Sequence, residues 1–406
     1  MIDPQTISPA QANPTAPPAG PARRIALAHD WLVGFRGGEM VLDAIARCLQ
    51  EDGHTITRIY TMFDSGIPLS PTLDAFPRTP SNLNRYPPAI RRWLLMRYPS
   101  ATRQLTRALH ADHAREPIDL LISSHSAAIK AIRPPPGIPH LCYCHTPARY
   151  LWSQQHQYGS GDLKGRLRAI GLRSSAPSLR RWDRRTAAAV TDFIANSNHT
   201  AAEIRRCYDR QSTVVHPPVR TDFFTPDPGV RRGEELLLVS ALEPYKRVDL
   251  AIDAANRLRC PLTIVGTGSH EPVLRRHAAG SNRIRLVGRV SDEQLRNHYR
   301  TARAFLFPQI EDFGITAVEA QACGCPVVAR AGGGARDSII ENQTGIFFRE
   351  PNTEAIARAI QNCPSAPTCA SACRENALRF SADRFAKHMR EQIRAVLNPC
   401  RLPPDR

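Results

Sequence analysis

The stretch Ala304–Ala329, AFLFPQIEDFGITAVEAQACGCPVVA, reads as an apolar run, a short acidic loop, a helix and a second apolar run. Residues 304–309 (AFLFPQ) have the apolar and aromatic bias of a short strand. Ile315–Cys323 (ITAVEAQAC) is made of good helix formers and stops at Gly324, a C-cap residue, with Pro326 blocking continuation. Residues 326–332 (PVVARAG) then start the next strand. This strand, loop, helix, strand order is the unit of a parallel sheet covered on both faces. It also places two carboxylates. Glu311 lies in the loop, where Phe313 and Gly314 let the backbone turn, and Glu319 lies inside the helix. The free N–H groups of a helix start suit oxygen-rich ligands, and both glutamates can accept hydrogen bonds from the hydroxyls of one extended ligand. A solvated helix acid at 319 and a helix-entry acid at 311, favoured by the macrodipole, fit the same spacing.

The same alternation runs outward in both directions. A second series holds LLLVSAL (236–242), the helix RVDLAIDAANRLR, LTIVGTG (262–268), IRLVGRV (284–290) and the helix DEQLRNHYRTA. A first series holds RIALAH (24–29), GGEMVLDAIARCLQE, TITRIYTMF (55–63), DLLISSH (119–125), HLCYCH (140–145), FIANS (193–197) and TVVHPP (213–218). Two doubly wound α/β domains in tandem follow, over 23–217 and 218–380. Residues 1–22, with six prolines and almost no charge, read as a disordered tail. Residues 381–406 read as a C-terminal helix and tail returning to the first domain. Ligands of such sheets bind at the carboxyl ends of the strands, so an interdomain cleft is the expected site.

Composition narrows the class. A chain of 406 residues, 42% hydrophobic and 22% charged, is that of an ordinary globular protein, and its length favours two domains. No apolar run approaches the ~18 residues of a membrane span, and the N-terminus lacks a signal-peptide core, so a cytoplasmic location is expected. Eleven cysteines, an odd number without paired C-x-x-C spacing, read as reduced thiols, and no metal is expected. The net charge of +17 comes from 54 basic residues, all arginine except Lys130, Lys164, Lys246 and Lys387. It favours phosphates or an anionic membrane surface. The basic residues are dispersed and form no recognised nucleic-acid module, so nucleic acid is not an expected partner.

Two further segments sit where the cleft is expected. Lys246 and Arg247 in SALEPYKRVDL stand between a strand end and a helix start, and a lysine in so arginine-rich a chain suits a point charge aimed at a phosphate. In DWLVGFRGGE, Gly37 and Gly38 open a helix and permit close approach to an anion, though a Gly pair serves any tight turn. Residues 84–107 (NRYPPAIRRWLLMRYPSATRQLTR) carry arginines, aromatics and no acid, which fits an anionic membrane face and equally a helix with a solvated arginine side. The run 166–185 is open in the same way.

These residues resemble the retaining glycosyltransferases of family 4, with the two-domain GT-B fold. The resemblance covers 24–397 and rests on GFRGGE, CHTPARYLW (144–152), FIANSNHT (193–200), VVHPPVRTDFF (214–224), PYKRVDL (244–250), LVGRVSDEQL (286–295) and the E-x7-E pair. Within the family, the HDWL…GGE and CHTPARYLW segments look most like bacterial mannosyltransferases of O-antigen or exopolysaccharide synthesis. The resemblance implies a nucleotide-sugar donor, GDP-mannose above all, a polyprenyl-diphosphate-linked glycan acceptor on the first domain, and no cofactor or metal. It places Glu311 at the transferred sugar, Glu319 on the ribose hydroxyls, and the backbone of Phe313, Gly314 and Ile315 on sugar or phosphate. Lys246 then holds the diphosphate, with Arg247 beside it, and His145 lies beside the donor sugar. Gly37 and Gly38 approach the β-phosphate, and Gly288 and Arg289 the base. Two departures stand out: the family's arginine five residues before the lysine is Ala241 here, and Asp337 replaces a glutamate common in relatives.

Overall fold

A computed structural model describes residues 21–91, 94–153, 163–363 and 367–398. The proline-rich segment 1–20 and the terminal residues 399–406 lie outside the described residues. The chain divides into two compact units, one of Met1–Val215 with Ala386–Arg406 and one of His216–Phe385.

The first unit is built on seven parallel strands, β1 (Arg24–Leu32), β2 (Thr55–Asp64), β3 (Arg78–Pro80), β4 (Leu120–His125), β5 (His140–Cys144), β6 (Asp192–Ala195) and β7 (Thr213–Val214). Their order is β3-β2-β1-β4-β5-β6-β7. The central strands bury side chains on both faces because helices cover both faces of a parallel sheet; Leu27, Ile122 and Leu141 are fully buried. The helix Asn198–Tyr208 starts where the Ser197 side chain accepts from the Thr200 N–H at 3.1 Å, and it ends at Asp209 in the left-handed region. Arg390, on the last helix, pairs with Glu51 and Asp52, each at 2.7 Å, which ties the end of the chain to the helix Gly37–Glu51.

The second unit has six parallel strands: β8 (Leu236–Val239), β9 (Leu262–Val265), β10 (Ile284–Gly288), β11 (Ala304–Phe307), β12 (Val327–Arg330) and β13 (Gly345–Phe348). The order is β10-β9-β8-β11-β12-β13. Ser291 and Gln294 form a reciprocal capping box at the start of the helix Asp292–Thr301. The helix Ile315–Ala322 gives way to Gly324, which takes a φ of 77° and closes the turn before β12.

Each sheet winds outward in two directions, and the reversal falls between β1 and β4 in the first unit and between β8 and β11 in the second. In an open α/β sheet that reversal leaves a crevice at the carboxyl ends of the two strands. Several elements differ from their sequence-based bounds. β7 stops at Val214 and does not extend to 218, because Pro217 and Pro218 have no N–H to give to a ladder. β1 runs on to Leu32, past the expected end at His29. The arginine-rich stretch 84–107 is no single helix. It breaks into a 3-10 turn at Asn82–Arg85, a short helix Pro88–Arg91, a 3-10 turn Leu95–Arg97 and only then the helix Tyr98–Arg115, since Pro87, Pro88 and Pro99 interrupt hydrogen bonding. Arg92 and Trp93 of that stretch, and the side chains of 166–174, are outside the described residues. No helix among the described residues is long and apolar enough to cross a membrane.

Candidate functional site

In the second unit the loops after β8 and β11 bring Lys246 and Glu311 together. Lys246 closes a 3-10 turn, Pro244–Lys246, and its Nζ contacts Glu311 Oε1; both side chains are largely buried, at 12% and 16% exposure. Arg247 turns the other way. It takes the left-handed conformation (φ 52°), and its half-exposed guanidinium pairs with Asp249, in the first turn of its own helix, at 3.1 Å. The backbone after Glu311 is fixed by close packing. Gly314 has a φ of 92°, and a methyl group there would lie 2.7 Å from the Phe307 ring. A side chain at Gly333 or Gly334 would strike the Glu311 and Asp312 carbonyls, and the Gly334 N–H donates to Glu311 O at 2.9 Å. Gly314 is then the residue just before the helix Ile315–Ala322, beside the buried Phe313.

Glu319 is 7% exposed, so it is not a solvated helix acid. Tyr299 donates to its Oε2 at 3.1 Å. Burial pushes the Glu319 carboxyl up to about 7, against the opposing pull of the Arg220 charge and the Tyr299 hydroxyl, with Asp292 adding to the rise. Arg220 pairs with Asp292 at 2.7 Å and lies 5.1 Å over both Phe223 and Phe224. Gly288 (φ 73°) has no atom within 4 Å of where a side chain would start, and Arg289 is exposed, so that strand end is open. Asp337 pairs with His216 Nε2 at 3.1 Å. Ala241 lies in the turn after β8, where its carbonyl accepts from the Glu243 N–H at 2.9 Å.

In the first unit the carboxyl ends of β1, β4 and β5 hold a histidine cluster. The His145 N–H donates to the His125 carbonyl at 2.8 Å, and Asn196 Nδ2 donates to the His145 carbonyl at 3.0 Å. Its Nε2 lies 2.8 Å from Ser124 Oγ. Burial, with His29 and His125 close by, lowers His145 to about 3, and Asp30 only partly offsets this, so the ring is neutral. Gly38 packs against the same cluster: a side chain there would begin 3.4 Å from His29 Cε1 and 4.0 Å from His145 Nε2. Gly37 opens the helix whose third residue, Glu39, accepts from the Arg36 N–H at 3.2 Å. Burial lifts Glu39 to about 7.

Sequence reasoning missed Asp30. Its two oxygens accept from four successive N–H groups, those of Ser126, Ala127, Ala128 and Ile129, at 2.7–2.8 Å. Burial raises its pKa, but those bonds and His125 outweigh it and hold the carboxyl well below the usual range. The signal was an acid inside an apolar strand-end run, HDWL, which has to have buried donors. Ser124 and Asn196 carried no signal of their own, since a hydroxyl and an amide at strand ends fit any turn.

Two family profiles match the chain: "Glycosyltransferase Family 4" over residues 35–223 and "Glycosyl transferases group 1" over 226–380. A D-inositol 3-phosphate glycosyltransferase of Mycobacteroides abscessus is 34% identical over 244 residues, 55% of this chain and 53% of the relative. A GDP-mannose-dependent alpha-(1-6)-phosphatidylinositol monomannoside mannosyltransferase of Mycolicibacterium smegmatis is 30% identical over 213 residues, 46% and 55% of the two chains. The chain spans about half to two thirds of the length of the curated relatives it matches. Among solved structures, the sucrose-phosphate synthase of Thermosynechococcus elongatus is similar with a TM-score of 0.74 at 19% identity, over 93% of this chain and all of that one, which shows the fold.

Proposed function

Since the chain belongs to family 4 of the glycosyltransferases and has their GT-B fold, we propose that it moves a hexose, mannose from GDP-mannose, onto a polyprenyl-diphosphate-linked glycan. The observation that carries this reading is the Lys246–Glu311 pair at the β8/β11 reversal, next to a helix start. Breaking the anomeric C–O bond builds negative charge on a nucleoside diphosphate. Lys246 and the N–H groups after Gly314 supply positive charge where it develops, in a protein environment that needs no reorganisation. Glu311 takes the transferred sugar's hydroxyls and Glu319 the ribose. Gly288 and Arg289 border the base, and His145, Gly37 and Gly38 serve the sugar and β-phosphate. Mannose is favoured by the relative named for GDP-mannose.

The site tests this by nucleotide release. With a membrane extract as acceptor source and a chelator present, the protein is expected to release GDP from GDP-mannose as mannose passes to the acceptor, and nothing from UDP-glucose or UDP-galactose. Release from a UDP-sugar instead would discard mannose and keep the fold and mechanism. A second result follows from Glu319. Ribose hydroxyls donate hydrogen bonds and therefore favour the carboxylate over the acid, so nucleotide binding draws the raised pKa down. GDP binding at pH 6.5 is then expected to release a proton, and affinity to rise with pH up to about 7 and level off above it. Calorimetry in two buffers of different ionisation enthalpy reads the proton directly. Proton release that persists in Glu319→Gln would assign it to another group.

The acceptor proposal places the first unit at the cytoplasmic face of the inner membrane. Arg85 and Arg97 both reach the Tyr86 hydroxyl, at 3.3 and 3.1 Å, and Ile90 and Met96 of the same stretch are exposed. Cations and exposed apolar side chains in one segment suit an anionic lipid surface. Flotation with phosphatidylglycerol vesicles, set against phosphatidylcholine, checks it, and equal binding to both would count against the charge argument.

A further inference from the structure

The hydroxyl of Ser124 meets a ring that the family assignment alone leaves unspecified. Ser124 is the penultimate residue of β4, is fully buried, and pairs in register with His29 of β1. Among the described residues its Oγ has one hydrogen-bond partner, His145 Nε2 at 2.8 Å. A serine hydroxyl carries one proton and two lone pairs. If the ring donated from Nε2, that buried O–H would be left without an acceptor, which is costly in a buried place. If the serine donates, both groups are satisfied. The ring is otherwise held by its backbone, through the His125 carbonyl and Asn196, and packs 5.2 Å from the Tyr143 ring and edge-on to His29 at 6.5 Å.

We propose that Ser124 is a positioning residue that donates to His145 Nε2, fixes the Nδ1–H tautomer of the neutral ring, and so makes Nδ1–H the group offered to a substrate oxygen. The proposal rests on the glycosyl-transfer reading for its kinetic consequence and on the buried contact for its structural one. The charged or titratable groups around the ring are His29, His125, Asp30 and Tyr143. An N–H offered to an oxygen of the transferred sugar acts in turnover and is not engaged by GDP alone.

Two measurements test it. In protein labelled with 15N-histidine, the His145 signals, assigned by their loss in His145→Gln, are expected to report the Nδ1–H tautomer. In Ser124→Ala they are expected to shift toward the Nε2–H form. The same variant is expected to lose ten- to a hundredfold in kcat with the GDP dissociation constant within twofold of wild type, and Ser124→Thr, which keeps the hydroxyl, to recover most of it. Wild-type His145 carrying its proton on Nε2 overturns the proposal, as does Ser124→Ala with unchanged tautomer and kcat. Should Ser124→Ala fail to fold, the wild-type spectrum decides alone. Absence of turnover with any donor in the wild type strikes the glycosyl-transfer reading instead, and leaves the tautomer result standing.

Discussion

Glu311→Ala is expected to lower turnover with GDP-mannose by roughly a thousandfold, about 4 kcal/mol of transition-state stabilisation, while GDP binding is kept or tightened. The two effects part because of the ion pair. Lys246 Nζ contacts the Glu311 carboxylate, and the pair is largely buried. Removing the carboxylate takes away the group proposed to hold the sugar and leaves a part-buried ammonium without its partner. That ammonium gains most from a diphosphate, so the product nucleotide binds at least as well. Lys246→Ala should do the opposite to affinity: the diphosphate loses its point charge, and the Glu311 carboxylate loses its Lys246 contact. Steady-state rates and GDP calorimetry on the two variants separate these roles. Matching losses of GDP affinity in both would mean that the pair acts as one structural unit.

Lys130→Ala is expected to produce the largest loss of stability in the first unit. Lys130 is 1% exposed; its Nζ pairs with Asp183 Oδ1 at 2.7 Å, donates to the Asp183 carbonyl at 2.8 Å and to Thr186 Oγ1 at 3.0 Å, and lies 4.7 Å over the Tyr208 ring. Asp183 in turn accepts from Trp152 Nε1 at 2.7 Å. Breaking a fully buried pair strands the remaining charge, and such losses run to about 3–5 kcal/mol. Chemical denaturation followed by tryptophan fluorescence reads it. Lys130→Met with Asp183→Asn removes both charges and keeps an acceptor for Trp152, so it should recover a good part. A double variant no more stable than Lys130→Ala would argue that the lost hydrogen bonds matter more than the stranded charge.

The parallel strands were legible because they are short runs rich in apolar residues, and the helices because their spacing and caps are local: Ser197, Ser291 and Gly324 all act within a few residues of sequence. The edge strands β3 and β13 were not read, since three or four residues at a sheet edge carry too little pattern. Lys246 and Glu311 could be singled out, but their contact joins loops 65 residues apart and is a property of the strand order. The environment of Glu319 was left open between solvent and site, and only the packing of Tyr299 and the helix around it settles that it is buried. The pairing of Arg247 with Asp249, two residues on, is local and adds to what the sequence showed of that loop. The histidine cluster of the first unit belongs to three strands that meet only at the sheet's reversal, so neither Ser124 nor Asp30 could be tied to His145 from sequence.

The most direct test of the central claim is transfer itself. Radiolabelled GDP-mannose is incubated with a bacterial membrane lipid extract and a chelator, and the label entering the butanol-soluble lipid fraction is counted for wild type and for Glu311→Ala. Label that accumulates with wild type and falls to near background with Glu311→Ala is the predicted result. Label that never enters the lipid with any nucleotide sugar, or enters equally with both proteins, would contradict a glycosyltransferase whose chemistry runs through Glu311.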